Sequence, residues 1–293
     1  MNAEFERLVA EAPYGRAERV SPRVRRVLAR NPSPFTFTGT GTYIVGRGTV
    51  AVIDPGPSDA AHLAALAAAL AGERVAAILV THTHLDHSPG ARALAAETGA
   101  PVVGCAPLAL SDTGPRADAG FDPDYAPDRV LADGESVSGP GWTLTAVATP
   151  GHTSNHLCFA LAEEEALFTG DHVMGWSTTV VAPPDGDMAA YMASLERLLG
   201  RTDRIFYPTH GAPVADPKRW TRHLLAHRRQ REAQILALLA EGVCEIPAMV
   251  ARMYAEVDRR LWPAAGRSVL AHLLDLAARG RARDLGLGRW TAA

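Results

Sequence analysis

Residues 78–89 read ILVTHTHLDHSP and set four lone-pair donors, His82, His84, Asp86 and His87, directly after an apolar run of strand character. His82 and His84 stand two apart and share one side of an extended segment, whereas Asp86 and His87 follow through a turn and can face a second ion. Two pairs imply two metal sites. Three further donors each follow a strand-like run: His152 after 142–147, Asp171 after 166–168 and His210 after 204–207, at separations of 68, 19 and 39 residues counted from His84. Burying so many polar groups together without a cation would be unfavourable. Ends of strands in helix-covered sheets are where short loops are held rigidly while their side chains converge.

The set THTHLDH, PGHT, TGD and PTHG resembles the metallo-β-lactamase superfamily over about residues 36 to 215. The resemblance implies an α/β fold, an αβ/βα four-layer sandwich, with His82, His84 and His152 on a first metal, Asp86, His87 and His210 on a second, and Asp171 bridging. It further implies a hydrolase in which a hydroxide bridging two zinc ions is the nucleophile, oriented by Asp86 as the catalytic carboxylate. Zinc is favoured over a di-iron pair because position 84 is a histidine and not a glutamate, with manganese or iron as the other occupants. In that family the position of Asp54 approaches the site and orients a ligand; read by itself, Asp54 only starts a turn.

The elements that must position these groups can be read in order. Residues 1–30 are expected as an edge strand or an arm, and 35–53 as a hairpin about Gly46 and Gly48. An alanine-rich helix spans 58–71, with His62 on its surface, and a second helix runs from Ser88 and Pro89 to Gly99. Residues 107–133, rich in Asp, Pro and Gly, read as a substrate-side loop or an insertion. After Asp171, a loop with Trp176, Ser177, Thr178 and Thr179 is the candidate substrate surface, loosened by Gly175. Asp187 caps a helix ending at Gly200, whose Tyr191 is either a further substrate contact or part of a core stripe. His156 and His172 flank the ligands without a role that their positions assign.

From residue 217 the character changes. Residues 1–216 hold 15 basic and 25 acidic residues, whereas 217–293 hold 14 and 7, so a catalytic domain and a basic C-terminal domain are expected to divide there. Three helices and a Gly- and Arg-rich wing resemble a winged helix, and with it the superfamily branch of a mitochondrial endoribonuclease and its bacterial relatives. The branch often has Asn where Gly41 stands and Gly where Thr209 stands. Three cysteines without CxxC suggest neither a disulfide framework nor a cysteine zinc site, and a cytoplasmic protein with no membrane segment is expected. The leading functional expectation is hydrolysis of a small acyl thioester or ester. Its alternative is cleavage of single-stranded RNA held by the wing arginines, and the C-terminal domain could instead serve packing or a homodimer. A vestigial binding protein and an iron persulfide dioxygenase are the remaining readings.

Overall fold

In a computed structural model, residues 3–108 and 120–293 are described. Alternating or continuous apolar runs become strands, and two sheets result. The first has strands β1 (Ala17–Arg19), β2 (Val24–Leu28), β3 (Gly41–Arg47), β4 (Thr49–Ile53), β5 (Arg74–Val80), β6 (Val102–Gly104) and β7 (Arg129–Val130) in that spatial order. Its first four strands pair antiparallel and the rest parallel. The second sheet takes β8 (Ser136–Gly139), β9 (Trp142–Ala148), β10 (Leu157–Leu161), β11 (Ala166–Gly170) and β12 (Ile205–Pro208), with only β11 and β12 parallel.

One apolar cluster joins the facing sides of the two sheets, with Tyr43, Ile44 and Ile53 from one and Leu144, Phe159 and Phe168 from the other. Helix α1 spans Ala3–Glu11; α2 (Ala60–Ala69) and α3 (Pro89–Thr98) pack on the first sheet, and α4 (Met188–Leu199) covers the second. Leu66 of α2 and Leu94 of α3 bury into the shared cluster, while Met188, Tyr191 and Leu195 of α4 pack on Val147, Cys158 and Leu167. Helix, sheet, sheet and helix therefore stack as the expected four layers. Where an edge strand or an arm is expected, the opening residues form a helix followed by the edge strand β1 and its neighbour β2.

The C-terminal part contains α5 (Pro217–Ala240), α6 (Ile246–Met253), α7 (Trp262–Ala278) and the hairpin β13 (Ala282–Gly286) with β14 (Arg289–Ala292), the three helices and wing expected. Helix α5 serves two cores. Leu224 and Leu225 pack with α4, whereas Ile235, Leu238 and Leu239 join Met249, Val269, Leu273 and Trp290. Among the described residues, no helix is long and apolar enough to cross a membrane.

Two local expectations change. His62 is buried, not a surface residue, and its Nε2 lies 2.9 Å from the Thr42 hydroxyl, which in turn donates to the Asp54 carbonyl. Gly175 is a point of close approach, not of freedom: a Cβ there would sit 1.9 Å from the Ala212 carbonyl oxygen, while its N–H donates to His210 O at 2.9 Å. Gly175→Ala must therefore separate two loops that carry ligands, and a loss of about 2–3 kcal/mol is expected in chemical denaturation. Burial pushes the His62 imidazole down to about 4. Because it stays neutral when folded but charges when unfolded, its contribution to stability is complete above about pH 6.5 and is lost as pH falls towards 4. His62→Gln should flatten that part of the pH–stability curve, measured by denaturant midpoints.

Candidate metal centre

Every candidate ligand leaves the carboxyl end of a strand at one rim of the sandwich. β5 delivers His82, His84, Asp86 and His87; β9 delivers His152; β11 delivers Asp171; β12 delivers His210. The polypeptide thus brings together all seven. Six are buried, and Asp86 keeps a side-chain exposure of 13%. His82, His84, His152 and Asp171 form one donor group, and Asp86, His87 and His210 a second.

The distances suit two cations. In the first group His84 Nδ1 lies 3.0 Å from His82 Nε2 and 3.1 Å from His152 Nε2, which is 3.7 Å from Asp171 Oδ2. In the second, His87 Nε2 is 3.4 Å and His210 Nε2 3.3 Å from Asp86 Oδ2. Asp171 Oδ1 stands 3.5 Å from His87 Nε2 and 3.3 Å from His210 Nε2. One carboxylate oxygen thus faces each group, as a bridge requires. Donors bound tetrahedrally at about 2.0–2.2 Å sit about 3.3–3.5 Å from one another, so both groups have the dimensions of a coordination cage. His87 Nε2 and Asp171 Oδ1 are buried without a hydrogen-bond partner, as atoms reserved for an ion would be.

The ligands are held from behind. His87 Nδ1 meets Asp54 Oδ2 at 3.0 Å, His152 Nδ1 donates to Val180 O at 2.7 Å, His210 Nδ1 to Gly39 O at 3.1 Å, and His82 Nδ1 faces the Thr81 hydroxyl at 3.0 Å. Such contacts fix the tautomer and ring plane of a ligating imidazole. Asp86 accepts from Thr40 Oγ1 at 2.9 Å, and Thr40 is held through both its backbone and its hydroxyl by Asn31. Sequence reasoning missed Thr40 and Asn31, because they precede the motif by about fifty residues and carry no ligand chemistry of their own.

Asp54 is the pivot of this support. Its carboxylate accepts from the Thr81 N–H and hydroxyl, both at 2.8 Å, and contacts the Thr209 hydroxyl at 3.3 Å as well as His87. It takes a left-handed φ of 48°, which an aspartate tolerates better than most residues. The two departures from the branch pattern meet here, since Gly41 N–H donates to Thr209 O at 2.9 Å. His156 has a place as well: its Nε2 accepts from the Asp171 N–H at 3.2 Å and its Nδ1 faces the Thr149 hydroxyl at 2.9 Å. His172 is buried against Tyr191, and neither of its ring nitrogens has a hydrogen-bond partner.

Electrostatics divides the two groups. Burial, reinforced by neighbouring imidazoles, pushes His82 far down and His84 to about 3, so both offer neutral lone pairs. Burial opposes charge on His87 and His210 too, yet the Asp86 and Asp171 carboxylates outweigh it and hold His210 up at about 10. The second group thus retains protons where positive charge is wanted, and those protons are what a dication would displace.

The loop after Asp171 fares unevenly. Trp176, Ser177 and Thr178 line a cavity of about 270 Å³ beside the ligands, and Trp176 stacks on Phe37 with ring centres 4.9 Å apart. Thr179 is buried with its hydroxyl donated to the Asp171 and His172 carbonyls, while its carbonyl also borders the cavity. Tyr191 is fully buried between His172 and Arg228 and does not reach the mouth; the apolar stripe of α4 is its role. Of the stretch 107–133, residues 109–119 lie outside the described residues, but Gly120 and Asp122 pair with the backbone of Leu85 and Thr83. The wing arginines are exposed: Arg279 pairs with Glu232 and Asp275, Arg281 approaches Glu232, Arg289 contacts Cys244, and Arg283 is exposed as well.

Comparison with known proteins agrees with this architecture. The metallo-beta-lactamase superfamily pattern matches residues 36–210, and the beta-lactamase associated winged helix domain matches 246–290. An atrochrysone carboxyl ACP thioesterase of Aspergillus fumigatus is 36% identical over 223 residues, 75% of this chain and 66% of that protein, so the chain spans about two thirds of that relative's length. A beta-lactamase-like protein 2 homolog of Drosophila melanogaster is 33% identical, with 90% of this chain and 91% of that protein covered. A beta-lactamase domain protein from Burkholderia ambifaria superposes with a TM-score of 0.79 at 23% identity, covering 100% of this chain and 99% of its own, a likeness of fold. With its donor groups, sandwich and wing so matched, this chain belongs to the metallo-beta-lactamase superfamily as a metal-dependent hydrolase with a C-terminal winged-helix domain.

Proposed function

We propose that the protein is a zinc-dependent thioesterase for small acyl thioesters. The observation that carries this reading is the cavity beside the donor groups, about 270 Å³ with Phe35, Met174, Trp176 and Val180 among its walls, which suits an acyl chain better than a nucleic-acid strand. The thioesterase named among the relatives supports the same class. The wing arginines Arg279, Arg281, Arg283 and Arg289 are not among the residues that line this cavity, which gives the RNA reading less support.

His82, His84 and His152 would hold one zinc ion, Asp86, His87 and His210 the other, with Asp171 shared. When bound, zinc lowers the pKa of water towards ~7 and polarises the attacked carbonyl. The chain itself keeps four neutral or paired imidazoles aimed by their second nitrogens, and Asp86, fastened by Thr40, is the carboxylate placed to orient the attacking water. Water adds to the thioester carbonyl, the C–S bond breaks, and a carboxylic acid and a thiol are released. The apolar walls would hold the acyl part and restrict bulk water.

Chelation should abolish hydrolysis of an acyl-pantetheine thioester and zinc should restore it, with two ions per chain by elemental analysis. A thioester panel with no turnover, alongside metal-dependent RNA cleavage that disappears in His84→Ala, would replace this reading with the ribonuclease one. Asp54→Asn removes the charge behind His87, and retention of the second ion against a chelator should weaken about 10- to 100-fold while the first ion stays.

A further inference from the structure

The cavity has a second wall that the acyl chain does not explain. It is closed by the C-terminal helices, where His227, Arg228 and Arg231 of α5 share one helical face with Tyr254 and Ser268 opposite. Arg228 is only 3% exposed; its guanidinium donates to Ser268 Oγ at 3.2 Å and to the Thr179 carbonyl, and lies 5.2 Å from the Tyr191 ring centre. Arg231 donates to Met253 O at 3.2 Å, Gln234 Oε1 at 2.9 Å and His227 Nε2 at 3.3 Å, and covers Tyr254 at 4.6 Å. All these partners are neutral. Among the described residues neither arginine has a carboxylate in ion-pair range, whereas Arg25, Arg26 and Arg279 each do. Because His227 Nε2 accepts from Arg231, its proton sits on Nδ1, a buried donor without a partner.

A buried cation is normally matched by a counter-charge, since desolvation otherwise disfavours it. Arg228 and Arg231 line the cavity with neutral partners only and lack that counter-charge among the described residues. The cavity adjoins the metal centre, since Phe35, Met174 and Val180 line both it and the small cleft at His84, Asp86, His152, Asp171 and His210.

We propose that this wall is an oxyanion-binding subsite, which takes a carboxylate or phosphate at the far end of the substrate and contacts it through Arg231 above the buried charge of Arg228. The assignment rests on the thioesterase reading for the identity of the substrate, but not for the binding itself. The oxyanion could belong to the acyl group or to the thiol carrier, and guanidinium forks recognise both.

Two substrate pairs separate the sources: 4′-phosphopantetheine against pantetheine thioesters of one acyl group, and glutaryl against pentanoyl thioesters of N-acetylcysteamine. The wild type should favour the anionic member of one pair in kcat/KM by about 10- to 100-fold, and Arg231→Gln should collapse that ratio with metal content and turnover of the neutral member retained. Arg231→Lys should recover part of it. Calorimetric titration of the metal-loaded protein with free 4′-phosphopantetheine and with glutarate gives a readout independent of turnover. Binding that is lost in Arg231→Gln, in a protein that hydrolyses no thioester, would sustain the subsite and remove only the thioesterase reading. Ratios near one for both pairs in the wild type, together with no titratable binding of either anion, would overturn it.

Discussion

Each imidazole has two nitrogens, and at four of the five candidate histidines one of them is committed away from the donor groups. A backbone carbonyl takes that role for His152 and His210, a carboxylate for His87 and a hydroxyl for His82. With the ring plane fixed in this way, the remaining nitrogens converge to within 3.0–3.7 Å of another donor instead of scattering over rotamers. Asp54 shows how far this support extends. A single carboxylate joins the end of β4 to Thr81, His87 and Thr209, and so ties together loops from both sheets. Because it is buried, it is screened little by solvent, and the orientation it imposes persists at high ionic strength.

The same economy of partners distinguishes the two halves of the centre. In the first donor group, burial keeps the imidazoles of His82 and His84 neutral. The second contains a carboxylate of its own and holds its histidines charged until a dication replaces the protons. Asp171 belongs to both, one oxygen apiece, and its N–H is anchored on His156. That anchor gives His156 a structural reason to be a histidine while binding nothing itself. Gly170 allows the approach, for a Cβ there would stand 2.6 Å from His156 Nε2.

The C-terminal domain is continuous with the catalytic one through α5. The first half of that helix contributes Leu224 and Leu225 to the sandwich and the second half Ile235, Leu238 and Leu239 to the winged helix, so the two cores share a rigid rod. The excess positive charge of this region is not displayed evenly. Several arginines are paired on the surface, whereas Arg228 is driven inward against Thr179 and Ser268. Charge counted along a sequence says nothing of which side of a helix carries it, and here Arg228 and Arg231 line a cavity while others such as Arg222 and Arg283 stay exposed.

The amino-acid sequence by itself placed seven candidate donors directly after apolar runs, where they can only emerge at strand ends, and the motif resemblance carried their grouping and the four-layer order. It also set the helix boundaries at Asp187, Gly99 and Gly200, where local capping chemistry suffices. Only the tertiary structure decided what lies behind those ligands. Thr40, Asn31, Thr209 and His156 act through hydrogen bonds to partners distant in sequence, and a hydroxyl or amide carries no periodic signal that could reveal them. For the same reason Tyr191 went to the core and His62 beneath the first sheet's loop, since a side chain's exposure depends on what packs over it. The charged wall of the cavity is the extreme case: its residues follow the catalytic motifs along the chain, and only the folding of α5 back over the Asp171 loop makes them face a common space.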